Sequence, residues 1–380
     1  MKRTVITISL QLAVCLSAFA QTDPIDRNRW YEEDPNYDHN NWRERYSVIE
    51  VDGMSYFFNN DSTAVQPTRA NRERPRRVIP EYIEYEGKTY PVYLLHPMFS
   101  EDQVVEEVEL YCRMKGMYDT FKYCSNLKSV ILPDCLEYLG NFTFVCSNLT
   151  KLVLPKSLKK IGTDAIHCKN LETLVVNDSL EWVEFGAFNL PKIKEFRFPA
   201  SVKYVRSPFF SCKELRSVIF EDGDGDLNTI FYGSKHPAIK YLYCGRRSMN
   251  PDWNLPNLEE LVIGPLVRVL ELPGFDVTNI RELKVYAKSE APEPIYLDLG
   301  KNASDIYQNA TLYVPKGTRE LYMATDGWNR FLNIVEYGAT GISSVRSASD
   351  SKAIYNINGH RLASPQKGIY IQNGKKYIAK

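Results

Sequence analysis

Apolar side chains recur along this chain in one local figure: an apolar residue, two polar ones, apolar, a variable position, apolar. It reads Leu127, Val130, Leu132; then Leu149, Leu152, Leu154; then Leu171, Leu174, Val176; then Ile193, Phe196, Phe198; then Leu215, Val218, Phe220. The leading residues of these sets stand 22 positions apart, and one period earlier Val105, Val108 and Leu110 fit the same figure. Cys124, Cys146, Cys168 and Cys212 keep the beat, each three residues ahead of a leading residue. A fixed period in the twenties marks a solenoid, in which each repeat is one unit stacked on the last. The alternation that ends each figure predicts a short strand, paired in parallel with its neighbours about 4.8 Å away in one continuous sheet. Pro133, Pro155 and Pro199 follow three of these strands, and a second apolar pair comes next, as in Leu136 and Leu139 or Leu158 and Ile161. That return limb is too short for an ordinary helix. The expected fold class is mainly β with short helical turns: a solenoid of period 22, capped at both ends.

Each end of a solenoid exposes an apolar cross-section that needs a cover. Ahead of the repeats, strand patterns over 47–51 and 54–58 flank Asp52-Gly53 and predict a β-hairpin. A further strand is expected at Val78-Ile79, and a second turn at Glu86-Gly87. Residues 46–101 therefore read as an N-terminal cap, and 102–337 as the solenoid with its C-terminal cap. After Phe220 the leading residues Ile239, Leu258 and Ile280 come at spacings of 24, 19 and 22, which predicts irregular turns of the same solenoid. A strand over 311–315 and a helix from near Thr318 to Asp326-Gly327 follow, with Trp328, Phe331, Ile334 and Val335 expected to fold over the open end. Residues 338–353 are rich in Gly and Ser and read as a linker; 354–380 form a small β tail with turns at Asn358-Gly359 and Asn373-Gly374. Residues 21–45 are a polar arm broken by Pro24 and Pro35.

The motif L-x-x-V-x-L-P-x-x-L-x-x-[LI]-G, followed by an aromatic pair and Cys-x-Asn-Leu, is best developed in the repeats at Cys124 and Cys146. It resembles the BspA-like leucine-rich repeat family of bacterial surface proteins. The likeness runs from Ile83 to Glu336 and takes in the end cap: Ala310 to Gly317, Tyr322, Trp328, Phe331 and Asn333 to Val335. It implies the class of exported adhesins that bind host matrix proteins or other cells, and it carries no residue-level site. The tail, with Lys367 to Tyr370 and Gly374 to Lys376, is similar to C-terminal segments of exported proteins in Bacteroidota, some of which direct secretion.

Composition adds an address and removes some functions. Lys2 and Arg3, an apolar run from Val5 to Leu16 and Ala18-Phe19-Ala20 make residues 1–20 a signal peptide cleaved after Ala20. The competing reading, a lipoprotein anchored at Cys15, meets a bulky Val14 before the cysteine. No stretch approaches the roughly 20 apolar residues of a membrane-spanning helix. Balanced charge, 47 basic against 47 acidic, lacks the electrostatic footprint of a nucleic-acid binder. Without Cys15 seven cysteines remain, an odd number, and those in register read as a buried ladder of small hydrophobes. Cys112 and Cys135 lie off the ladder on adjacent turns, where a disulfide and two free thiols both stay open.

The sequence contains no G-x-S-x-G, H-E-x-x-H or P-loop. Ser125-x-x-Lys128 and Ser157-x-x-Lys160 match a catalytic spacing, but serine and lysine fall on different limbs of a repeat. His39, His96, His167, His236 and His360 are dispersed. Asp222, Asp224 and Asp226 suggest a calcium loop, yet an EF-hand needs Gly at position six and Glu at position twelve, where Leu227 and Gly233 stand; a solvated turn is the plainer reading. Arg69, Arg72, Arg74, Arg76 and Arg77 form a basic run, read as a solvated loop with polyanion binding as the alternative. No catalytic, cofactor-binding or metal residue is expected.

The candidate partner surface is the sheet face. Counting in steps of 22, the outward row is Glu109, Ile131, Val153, Val175, Arg197 and Ile219. An apolar stripe with charged neighbours suits a protein or glycan partner; the bland alternative is that β-branched residues simply suit strands. The expected function is that of an exported, non-enzymatic interaction protein. An enzyme using residues 221–256 and a passive structural component of the surface are the rivals.

Overall fold

The computed structural model describes Trp42, residues 48–68, 73–95, 97–230 and 235–337, and four strands between 354 and 379. Residues 1–20, read as a signal peptide, with Cys15, most of residues 21–45, Arg69, Arg72 and residues 338–353, read as a linker, lie outside the described residues.

Each regular turn has three sides, and each side is a short parallel strand. In one repeat these are Ser129–Ile131 on the front, Tyr138–Leu139 on the second face and Phe144–Cys146 on the third. The return limb is therefore two strands rather than a helix. Register follows the sequence period: Val153 faces Val175, Leu139 faces Ile161, and Cys146 faces Cys168. One set of strands per turn lets identical positions stack into ladders along the axis.

The corners explain the motif. At the first, the prolines end the front strand because they cannot donate to the ladder. The chain then turns through bonds from the N–H of Leu136 to the Pro133 carbonyl (3.2 Å), Leu158 to Pro155 (3.1 Å) and Val202 to Pro199 (3.0 Å). Where Asn177 replaces the proline, its side chain makes the turn instead, accepting from the Ser179 N–H at 2.7 Å. The corner between the second and third faces needs a left-handed residue, and Asp119, Phe142, Asp164 and Gly186 all have φ between 48° and 61°. At the last corner the N–H groups of Leu127, Leu171 and Leu215 reach the carbonyls of Cys124, Cys168 and Cys212, each at 3.3 Å.

Inside, the leading leucines are buried beside a ladder of rings, with Phe99, Phe121 and Phe144 stacked at successive spacings of 5.2 Å. The thiols lie along it. Cys124 donates to the Phe99 carbonyl at 2.9 Å and Cys146 to that of Phe121 at 3.5 Å.

After Phe220 the architecture changes for a local reason. No proline stops the front strand, so Ser217–Ile230 runs on around the corner, and Tyr241–Met249 follows it. The front half of the first strand pairs with Glu195–Phe198 and its far end with Tyr204–Arg206, two different faces joined by one strand. Bulges between Phe220 and Gly223 and between Gly223 and Asp226 absorb the bend. Arg246, buried opposite Gly223, fills the corner, its guanidinium donating to the carbonyls of Pro199 (3.1 Å), Ala200 and Val202.

The front sheet opens with Arg76–Ile79, parallel to Glu107–Leu110. Ahead of it stands the antiparallel hairpin Val48–Val51 with Met54–Phe58, and Trp42 packs edge-on against Phe57 at 5.8 Å. Its buried arginine, Arg77, pairs with Asp102 at 2.5 Å, and the other oxygen of Asp102 accepts the N–H groups of Val104 and Val105. At the far end, helix Arg319–Ala324 follows Thr318 as the sequence indicates, and Trp328, Phe331 and Ile334 are buried.

Two positions depart from expectation. Val335 does not fold inward: it is 46% exposed on the front face, because Ile334 takes the inward place and strand side chains alternate. The turn led by Ile280 is shifted by two residues, since a 3-10 turn over Ile280–Glu282 delays the strand and pairs Val285 with Leu261. In the tail the described strands pair antiparallel, with Ile354 opposite Leu362 and Gln372 opposite Lys375, while both Asn-Gly pairs lie outside the described residues.

Candidate functional site

The front strands are paired in separate groups rather than in the one continuous sheet expected, with breaks between Ile131 and Lys151 and between Val175 and Glu195, and the outward row can be followed through the register within each group. Val78 faces Glu109 and Glu109 faces Ile131; Val153 faces Val175; Arg197 faces Ile219. The middle of the row is open and apolar: Ile131 is 48% exposed, Val153 49% and Val175 41%. Ser129, Lys151 and Thr173, two residues earlier on the same strands, are exposed and give the patch a polar rim. The two ends are charged and tied down. Glu109 accepts from Arg76 Nη2 at 2.7 Å and from the Tyr111 hydroxyl at 2.8 Å, bonds that hold its carboxyl below the usual range. Arg197 pairs with Glu221.

Ile219 corrects the row. It points outward but is only 4% exposed, lying in register between the long side chains of Arg197 and Tyr243. The apolar patch thus stops at Val175.

Beyond it the row becomes aromatic, a continuation that steps of 22 miss. Tyr243, Val262, Tyr286, Tyr313 and Val335 follow one another in register. Tyr286 and Tyr313 stack at 4.9 Å, and Tyr337 meets Tyr286 edge-on at 6.0 Å. The Tyr243 hydroxyl donates to Asp222 at 2.8 Å, and burial followed by that bond raises its pKa. Lys288 sits 5.6 Å from the Tyr337 ring, its pKa lowered by burial. These positions were hidden because the period breaks after Phe220; a tyrosine directly after an inward residue, as in Leu242-Tyr243, Val285-Tyr286 and Leu312-Tyr313, was the available signal.

Energetics sets what the patch can do. Burying an exposed Val or Ile fully is worth about 1.5–3 kcal/mol, and these three are already half covered. Together they offer a few kcal/mol, short of the roughly 8 kcal/mol of a micromolar complex. A partner held here also needs the rim or the tyrosines.

The other sequence candidates do not converge. Ser157 donates to the Leu136 carbonyl at 2.6 Å, whereas Lys160 is buried between the Tyr138 and Trp182 rings, with Glu184 at 4.0 Å. Ser125 bonds Gln103, and Lys128 pairs with Glu106 at 2.7 Å. His236 packs between Phe209 and Trp253, and burial pushes its pKa down to about 4. Asp222, Asp224 and Asp226 lie along the bulged strand Ser217–Ile230; Asp222 takes the Tyr243 hydroxyl, and Asp224 and Asp226 border a shallow groove with Arg247 and Arg268. Among the described residues no three His, Cys, Asp or Glu side chains gather as a metal site. No helix among them is long and apolar enough to cross a membrane.

Comparison with known proteins adds the following. Residues 117–235 match the BspA type leucine-rich repeat region in six copies. No curated protein matches the chain. A leucine-rich repeat protein of T. pallidum aligns at 22% identity over 49% of this chain and 86% of its own, with a TM-score of 0.39. A leucine-rich cell surface protein of Faecalibacterium prausnitzii aligns at 13% identity over 78% and 96%, with a TM-score of 0.37. A leucine-rich repeat protein of Bacteroides ovatus aligns at 16% identity over 77% and 90%, with a TM-score of 0.36.

Proposed function

Since residues 117–235 of this chain form a BspA-type leucine-rich repeat region, we infer that the protein is an interaction module that recognises a protein or glycan partner on its front face. The observation that carries this reading is the open patch of Ile131, Val153 and Val175, exposed at equivalent positions of three successive turns with a polar rim. Scattered apolar residues are normal on a surface; a contiguous row of them marks a contact site. The reading places the protein outside the cell, where such a surface meets its partner, and gives it no catalytic role. The tyrosines from Tyr243 to Tyr313 extend the same face and supply the area that three aliphatic side chains lack.

The test uses defined ligands. The purified protein is applied to arrays of glycans and of extracellular proteins, beside a variant carrying Val153→Lys and Val175→Lys. Both positions are about half exposed, so the variant should keep the wild-type melting temperature. Saturable binding that falls at least tenfold in the variant is the expected result. A ligand bound equally by both proteins would move the site off this row.

A further inference from the structure

Cys112 and Cys135 are free thiols on neighbouring turns at the start of the repeats. The register fixes their separation. Glu109 faces Ile131 on the front, and Gly116 faces Tyr138 on the second face, so the same offset of 22 holds on both sides of the intervening corner. Cys135 therefore stands opposite Arg113 and one step diagonal from Cys112. Both cysteines sit at the corner outside the strands, Cys112 in a bend and Cys135 in the turn after Pro133; neighbouring turns lie about 4.8 Å apart, within the Cα separations of about 4.4–6.8 Å that a disulfide takes.

The thiol of Cys135 already points at the preceding turn. Its Sγ accepts the Met114 N–H at 3.4 Å and lies 3.6 Å from the Met114 carbonyl and 3.8 Å from that of Cys112. Both cysteines line one cleft of about 580 Å³, beside Tyr111, Arg113 and Ile131. They differ in access: Cys112 is fully buried, and Cys135 is the one exposed cysteine among the described residues. Cys124, Cys146 and Cys168 of the ladder donate to carbonyls of the turn before and are buried, with no such outlet.

We propose that Cys112 and Cys135 are a redox site that takes disulfide oxidants and closes into an inter-turn disulfide next to the partner-binding face. The Cys135 thiolate attacks one sulfur of the oxidant, forming a mixed disulfide and releasing one thiol. Cys112, having lost its proton, then attacks Cys135 Sγ and releases the second thiol. Two cysteine thiols lose two protons and two electrons, and the oxidant's disulfide becomes two thiols. Burial raises the pKa of both thiols, with Arg113 opposing it at Cys135, so the exposed cysteine reacts first and alkaline pH speeds the reaction. The bond closes a loop between residues 23 apart and shortens the unfolded chain's reach, which stabilises the turn nearest the N-terminal cap.

The full chain, reduced and then incubated with oxidised glutathione, tests this by peptide mapping without reductant. The expected product is a peptide pair cross-linked through Cys112 and Cys135, with a melting temperature several degrees above that of the reduced protein. Cys135→Ser, at an exposed position that tolerates the change, should lose both the cross-link and the rise. Cys112→Ser should instead trap glutathione on Cys135. Wild-type protein that carries glutathione on Cys135 while Cys112 remains free to alkylate after unfolding would overturn the proposal, as would an oxidised form that melts no higher than the reduced one.

Discussion

Single residues carry chemical signals that the repeat itself does not. His236 sits between Phe209 and Trp253, its backbone N–H on the Asn254 carbonyl at 3.0 Å, and burial lowers its pKa to about 4. Its unfolded value is about 6.5, so between those limits the unfolded chain binds a proton that the folded one refuses. The sign follows: stability is complete above about pH 6.5 and falls as pH drops toward 4, by up to about 3 kcal/mol. Melting temperatures across that range should show the loss in wild type and not in His236→Phe; parallel profiles would remove His236 as the cause. The buried pair of Arg77 and Asp102 is a second such point. Asp102→Asn leaves an arginine uncompensated in the interior and should cost about 3–5 kcal/mol, read from the denaturant midpoint. Nothing in the sequence pattern marks either residue, because both depend on what folds over them.

Elements in this chain are short, so ladders between turns do the work that long strands do elsewhere. Second-face strands such as Tyr138–Leu139 have two residues each, and no isolated pair of that length is stable. They persist because each turn presents the same side chain to the next, as Phe99, Phe121 and Phe144 do. Phe121→Ala opens a cavity with a ring on either side and should lower stability by about 3–5 kcal/mol. Cys146→Ala removes the weak 3.5 Å thiol contact to the Phe121 carbonyl, the contact with the Cys168 thiol and a small volume, and should cost about 1 kcal/mol. Thermal melts of the two variants check the order; equal losses would mean that the thiols hold the ladder as firmly as the rings. The strand pattern and its closing proline were legible because both act locally. The second and third faces were not, since strands of two or three residues leave no periodicity to count.

At the scale of the whole molecule, each turn touches mainly its neighbours, and stability is close to a sum of repeat and interface contributions. The ends are then the weak points. Trp328 closes the C-terminal end, its ring edge-on to Tyr322 at 5.2 Å and its Nε1 donating to the Glu293 carbonyl at 3.1 Å. In Trp328→Ala, amide hydrogen exchange should accelerate first in the strand Asn333–Tyr337, while residues 117–235 keep their protection. Uniform acceleration along the chain would show one cooperative unit instead. The exposed apolar patch belongs to this scale too, since only stacking brings Ile131, Val153 and Val175 onto successive turns of one face.

The sequence by itself determined the period, the front strands, their inward residues and the turn chemistry, because apolar spacing and proline act within a few residues. It also named the open apolar patch, since alternation in a strand of known phase leaves no choice of side. Tertiary structure decided the rest. Ile219 points outward yet is covered, and Val335 points outward where a cap was expected, outcomes set by neighbouring turns and by a strand's phase at its far end. The tyrosine half of the face emerged only from register after Phe220, where insertions change the spacing but hydrogen bonds between strands still align Tyr243, Val262, Tyr286 and Tyr313. Counting along a chain locates a residue within its own strand; pairing between strands decides what stands beside it.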